Sequence, residues 1–162
     1  MRLGAVSLLA ACAFVSAACA HSKIPGTEID DNADSRAILD VMTAYRAAVE
    51  QRNAQALIDL ADPAFRDDGG SSNPDDDLDY STLYTSLATR FQRIEDVRLD
   101  MNVRRMEFEE GTGGARVTYT YTLSFKMPTL SGRTQTDTDI KQMLLRRTEE
   151  SGKARWRIVS GI

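Results

Sequence analysis

The sequence predicts an α+β domain: three N-terminal helices packed on a curved antiparallel sheet of about four long strands. Three observations carry that reading. Apolar residues recur at helical spacing from residue 35 to residue 94, and alternation of period two replaces that spacing after residue 96. The strand pattern also slips phase once in its middle. At 162 residues the chain has room for one such domain and little more.

The first helix opens at Asp34 or Ser35, either of which serves as N-cap. Ile38, Val41, Met42, Tyr45 and Val49 form its apolar stripe. Asn53 caps a shorter helix bearing Leu57, Ile58 and Leu60, and Pro63 limits its run. Phe65 lies in a short extended piece. Residues 67 to 79, DDGGSSNPDDDLD, have the composition of a long surface loop. Asp79 or Ser81 then caps a third helix, with Leu83, Tyr84, Leu87, Phe91 and Ile94 on one face.

Val97, Leu99, Met101 and Val103 open the strand region, and the apolar phase then moves by one to Met106 and Phe108. A slip within one strand predicts a β-bulge, and a bulge bends a sheet. After a turn at Gly111–Gly114, Val117, Tyr119, Tyr121, Leu123, Phe125 and Met127 alternate with Thr, Ser and Lys. Residues 128 to 139 read as a polar connection, and residues 140–147 and 155–162 as the last two strands. Trp156 and Ile158 lie two apart, so both are predicted to face the helices.

Residues 1–18 carry one charge, Arg2, and then a run of 16 apolar or small residues. That run is shorter than the ~20 residues of a membrane span. It has the parts of an export signal instead. Three exits fit. Val15–Cys19 and Leu9–Cys12 resemble the lipobox of bacterial lipoproteins, which predicts lipid on Cys19 or, as the alternative, on Cys12. Ala18-Cys19-Ala20 fits ordinary cleavage before His21. The favoured reading is a lipidated Cys19 followed by a flexible tether to residue 34, with the domain spanning residues 35–162. The domain then faces the periplasm or the exterior from a cell or outer membrane, which it touches only through its anchor.

Residue types exclude several functions. Both cysteines and the single histidine lie in the first 21 residues, so the domain holds no Cys-His pair, Ser-His-Asp triad or Cys/His zinc site. Without the leader the chain carries 19 basic against 24 acidic residues. A mildly acidic domain gains nothing from counterion release, so nucleic acid is not expected as a partner.

The stretch YRAAVEQRNAQALIDLADPAF, Tyr45 to Phe65, and the ending RWRIVSGI resemble the nuclear transport factor 2-like superfamily, which includes SnoaL-like cyclases and ketosteroid isomerases. The resemblance implies a cone whose sheet and helices enclose a pocket. It also implies two candidate catalytic residues. Tyr45 matches the isomerase tyrosine, and Asp68 falls near the isomerase base when one residue is deleted around Ala61. Their chemistry would be proton abstraction beside a carbonyl, with the tyrosine donating to the developing oxyanion. A third member, a protonated Asp on a strand, has no clean match; Asp137 and Asp139 lie near it in a polar stretch. The dehydratase branch relies on histidines, which this domain lacks.

Asp75, Asp77 and Asp79 follow the D-x-D-x-D spacing that opens a calcium loop. Tyr80 stands where the turn needs Gly, and Ser86 where the bidentate Glu belongs, so no EF-hand forms. The weaker metal reading of these three aspartates stands beside that of a solubilising loop ending in a helix cap. The sequence thus points to an anchored, non-catalytic binding or interaction domain needing no cofactor or metal. Its partner is an unknown small molecule or envelope protein, with homodimerisation as a further expectation. The alternative is a small-molecule isomerase or cyclase using Tyr45 and Asp68.

Overall fold

Helix α1, Ala33–Glu50, begins two or three residues earlier than the expected caps allow, because Asn32 caps it. In extended conformation, Asn32 offers Oδ1 to the backbone N–H of Ser35 at 2.8 Å. Asp34 therefore sits inside the first turn. Its carboxylate accepts a hydrogen bond from Trp156 Nε1 at 3.1 Å, tying the start of α1 to the last strand. The computed structural model describes residues 22–69, 77–129 and 132–162. The leader, Cys12, Cys19, His21 and Asp75 lie outside the described residues.

Part of the segment read as a tether is folded. Lys23 bridges Asp30 in antiparallel fashion, Ile24 N–H donates to Ile29 O at 2.9 Å, and Ile29 is buried. The sequence lacked an apolar period there because a single isoleucine docks this turn.

Arg52 turns the chain with φ +52°, and Asn53 caps helix α2, Ala54–Leu60. Beyond α2 the chain becomes extended. Ala61 bridges Ile158 in parallel and Asp62 N–H donates to Ile158 O at 2.8 Å, so this piece covers one edge of the main sheet. Two short strands, β1 (Arg66–Asp67) and β2 (Leu78–Asp79), pair across the acidic loop. Helix α3, Tyr80–Gln92, starts with a capping box between Asp79 and Thr82.

Four antiparallel strands follow in the order β3-β4-β5-β6: Glu95–Glu109, Gly114–Lys126, Thr134–Glu150 and Lys153–Ser160. The register shifts between Val103 and Arg105, where the phase slip predicted a bulge. Val97 and Leu99, Val117 and Tyr119, Met143 and Leu145, and Trp156 and Ile158 form the buried sheet face. Ile38 and Met42 of α1, Leu57 of α2, and Leu83 and Leu87 of α3 pack with them. The ring of Trp156 meets that of Phe108 edge-on at 6.0 Å between centroids.

One strand differs from expectation. β5 starts at Thr134, six residues before the apolar run at Ile140. Residues 134–142 are exposed, so no apolar alternation marks them. Thr134, Thr136 and Thr138 supply β-propensity instead, and Thr138 and Thr136 meet Thr122 and Ser124 of β4 at 3.2 and 3.4 Å. This extension brings Asp137 and Asp139 onto the inner face of the sheet, beside Leu123 and Tyr121 in register.

Candidate functional site

Between the helices and the inner sheet face lies a cavity of 230 Å³. Its apolar wall comes from Val49 of α1, Leu57 of α2, Leu87 and Phe91 of α3, and Leu99 and Leu123 of the sheet. Its polar groups converge from three directions: Tyr45 from α1, Tyr119 and Tyr121 from β4, and Asp137 from β5. Alternation on β4 sends both sheet tyrosines inward. Helical spacing places Tyr45 on the stripe that holds Ile38, Met42 and Val49. Apolar walls with a few convergent hydrogen-bonding groups are the composition of a small-molecule site.

The three phenols are protonated donors. Burial raises the Tyr45 hydroxyl to about 12, with the charge of Arg90 opposing and that of Asp67 reinforcing the shift. Burial also raises Tyr119, aided by Tyr45, Tyr121 and Asp67. Tyr121 is raised by burial, by its hydrogen bond to Asp137 and by the charges of Asp137 and Asp139. The Tyr121 hydroxyl donates to Asp137 Oδ2, and Lys141 Nζ lies 5.0 Å above the Tyr121 ring centroid.

A second, wider space of 620 Å³ adjoins the cavity and shares Arg90, Lys141 and Ile162 with it. Asp67, Asp68 and Asp139 line this vestibule. Asp67 turns inward: Oδ2 accepts from Gly161 N–H at 2.7 Å, and Oδ1 accepts from Gly69 N–H at 2.9 Å. Gly161 has φ +94°, and a Cβ there would come within 2.3 Å of Gln142 O. Only glycine lets the chain pass so close and deliver Ile162 to the junction of the two spaces.

The two residues that the resemblance paired line different spaces. Tyr45 lines the cavity; Asp68 is exposed and borders only the outer spaces. The carboxylates near the phenols are Asp137, in the cavity, and Asp67, whose charge reaches Tyr45 and Tyr119. Tyr119 and Tyr121 had registered only as strand residues. Three tyrosines on inward positions were the available signal.

Of the aspartates of the metal reading, Asp75 lies outside the described residues. Asp77 borders a surface groove together with Asp79. Asp79 Oδ1 accepts from Ser81 Oγ at 2.7 Å and Thr82 N–H at 2.9 Å. Those bonds hold its carboxyl down at about 2. Among the described residues no three His, Cys, Asp or Glu side chains cluster as metal ligands. No helix of the described residues is long and apolar enough to cross a membrane.

Helices on one face of a bent antiparallel sheet, enclosing a cavity at one end, define a cone-shaped α+β protein. The fold is that of the nuclear transport factor 2-like superfamily. A superfamily protein from Salmonella enterica serovar Typhimurium superposes with TM-score 0.63 at 14% identity, covering 78% of this chain and 86% of that one. A ketosteroid isomerase-like protein from Erwinia carotovora atroseptica gives 0.62 at 16% identity, covering 82% and 98%. A conserved protein from Planctomyces limnophilus gives 0.65 at 14% identity, covering 80% and 93%. No protein-family model matches the chain, and no curated protein matches it in sequence.

Proposed function

We propose that this protein is a binding module that holds a small, largely apolar molecule bearing a carbonyl or hydroxyl oxygen in its cone cavity, without transforming it. The exposure of Asp68 carries the reading. Proton abstraction needs base and donor within reach of one bound molecule, and Asp68 does not line the cavity that Tyr45 lines. Tyr45 and Tyr119 supply the donors for such an oxygen, and the apolar walls supply the contact area. In the same reading the domain rides on a lipidated Cys19, with Cys12 as the alternative anchor, facing the periplasm or exterior. Self-association across the outer sheet face is part of the proposal, supported by Ile140, a large apolar residue 65% exposed there.

One observation favours a second reading, an isomerase or cyclase. Asp137 shares the cavity with Tyr45, so a carboxylate and a phenol do face one space. The Erwinia neighbour's description as ketosteroid isomerase-like points the same way. Deuterium incorporation into cyclohexanone in heavy water separates the two. The module leaves the α-carbons exchanging at the buffer rate. An enzyme accelerates exchange and loses the acceleration in Tyr45→Phe and Asp137→Asn.

A further inference from the structure

The junction between cavity and vestibule carries two cations with open donors. Arg90, near the end of α3, and Lys141, on the inner face of β5, both border the inner and outer spaces. Among the described residues neither forms an ion pair or donates a hydrogen bond; Lys141 rests over the Tyr121 ring. The nearby carboxylates accept hydrogen bonds from the protein and keep their charge. Asp67 accepts two backbone N–H groups, Asp137 accepts the Tyr121 hydroxyl, and Asp139 accepts Ile140 N–H at 2.7 Å. Asp68 has a contact of its own as well. An arriving anion therefore meets five guanidinium and three ammonium hydrogens that are not spoken for.

Position adds to charge. A molecule with its apolar body among Val49, Leu87 and Leu99 can extend to this junction, because Arg90, Lys141 and Ile162 line both spaces. At 230 Å³ the inner space is below the ~300–1,000 Å³ of ordinary ligand pockets, so the body is about the size of one ring. We infer that the ligand is a small monocarboxylate, with a ring-sized apolar body inside the cone and its carboxylate between Arg90 and Lys141. This rests on the cavity being the binding site.

Three probes of one shape test the inference: 3-phenylpropionate, 3-phenylpropionamide and 3-phenylpropylamine, each titrated at pH 7 by protein-observed NMR. The expected result is that the carboxylate binds at least about tenfold tighter than the amide. The preference vanishes in the Arg90→Gln/Lys141→Gln variant, which loses more affinity for the carboxylate than for the amide. Both residues are exposed, so the variant keeps the core intact. An amide that matches the carboxylate, or an amine that binds tighter than either, overturns the inference and leaves the cavity reading standing. No saturable shift from any probe while cyclohexanone still binds overturns the inference alone, and no shift from cyclohexanone either overturns both.

Discussion

The Tyr121 hydroxyl donates to Asp137 Oδ2 across neighbouring strands, and this bond ties the inner sheet face to the mouth of the cone. Asp137 belongs to the part of β5 that runs past the apolar core. Tyr121 belongs to the core itself. Their contact marks where dry interior gives way to solvent.

Buried phenols make the fold sensitive to alkali. A tyrosine whose hydroxyl ionises at about 12 when folded, and near 10 when unfolded, contributes stability that is complete below pH ~10. That stability is lost as the pH rises through the folded value. Tyr45, Tyr119 and Tyr121 shift in the same direction, so their losses add. The denaturant midpoint should fall as the pH rises from about 10, the free phenol value, to about 12. Tyr119→Phe should flatten the fall, and an unchanged slope would show that the phenol is not buried.

Asp62 predicts the opposite limb. Its side chain is 1% exposed; burial raises its pKa, but bonds from Arg146 and Ala64 N–H and the charges of Arg146 and Arg157 outweigh that and hold the carboxyl below the usual range. Its stabilisation is present above the unfolded value of ~3.9 and lost as the pH falls through the folded one. Asp62→Ala should cost about 1.5–3 kcal/mol at pH 7, less than a fully buried pair because Arg146 is half-exposed. Equilibrium urea unfolding at pH 7 and pH 3 checks it: the cost should shrink at the lower pH.

Trp156 locks the last strand. It is buried, meets Phe108 edge-on and donates Nε1–H to Asp34. Trp156→Ala should destabilise by ~3–5 kcal/mol, a large part of a domain's ~5–15 kcal/mol. A thermal melt within a few degrees of wild type would contradict this packing.

The anchor is tested in cells. A protein lipidated on Cys19 should partition into detergent and take up a palmitate analogue, and Cys19→Ala should lose both. Equal labelling of wild type and Cys19→Ala would move the anchor to Cys12 or remove it.

Most of the fold was legible because burial leaves a period in the sequence. Tyr45 and Val49 repeat at helical spacing, and Val117 to Phe125 alternate by two. The site was legible only in part. Asp137 sat in a polar stretch, because residues 134–142 of β5 are exposed and need no apolar alternation. Choosing between Asp67 and Asp68 was also out of local reach. Asp67 turns inward to accept Gly161 N–H, a partner 94 residues away that no window around the loop contains.

The central claim is that the tyrosine-lined cone holds a small molecule by its oxygen, and a cyclohexanone titration followed by protein NMR tests it most directly. Saturable shifts should fall on Val49, Leu57, Leu87, Leu99 and Tyr119. Affinity should weaken by about thirtyfold in Tyr45→Phe/Tyr119→Phe, as two hydrogen bonds of ~1 kcal/mol each require. Shifts confined to the outer sheet face around Ile140, or affinity indifferent to both phenylalanines, would contradict it.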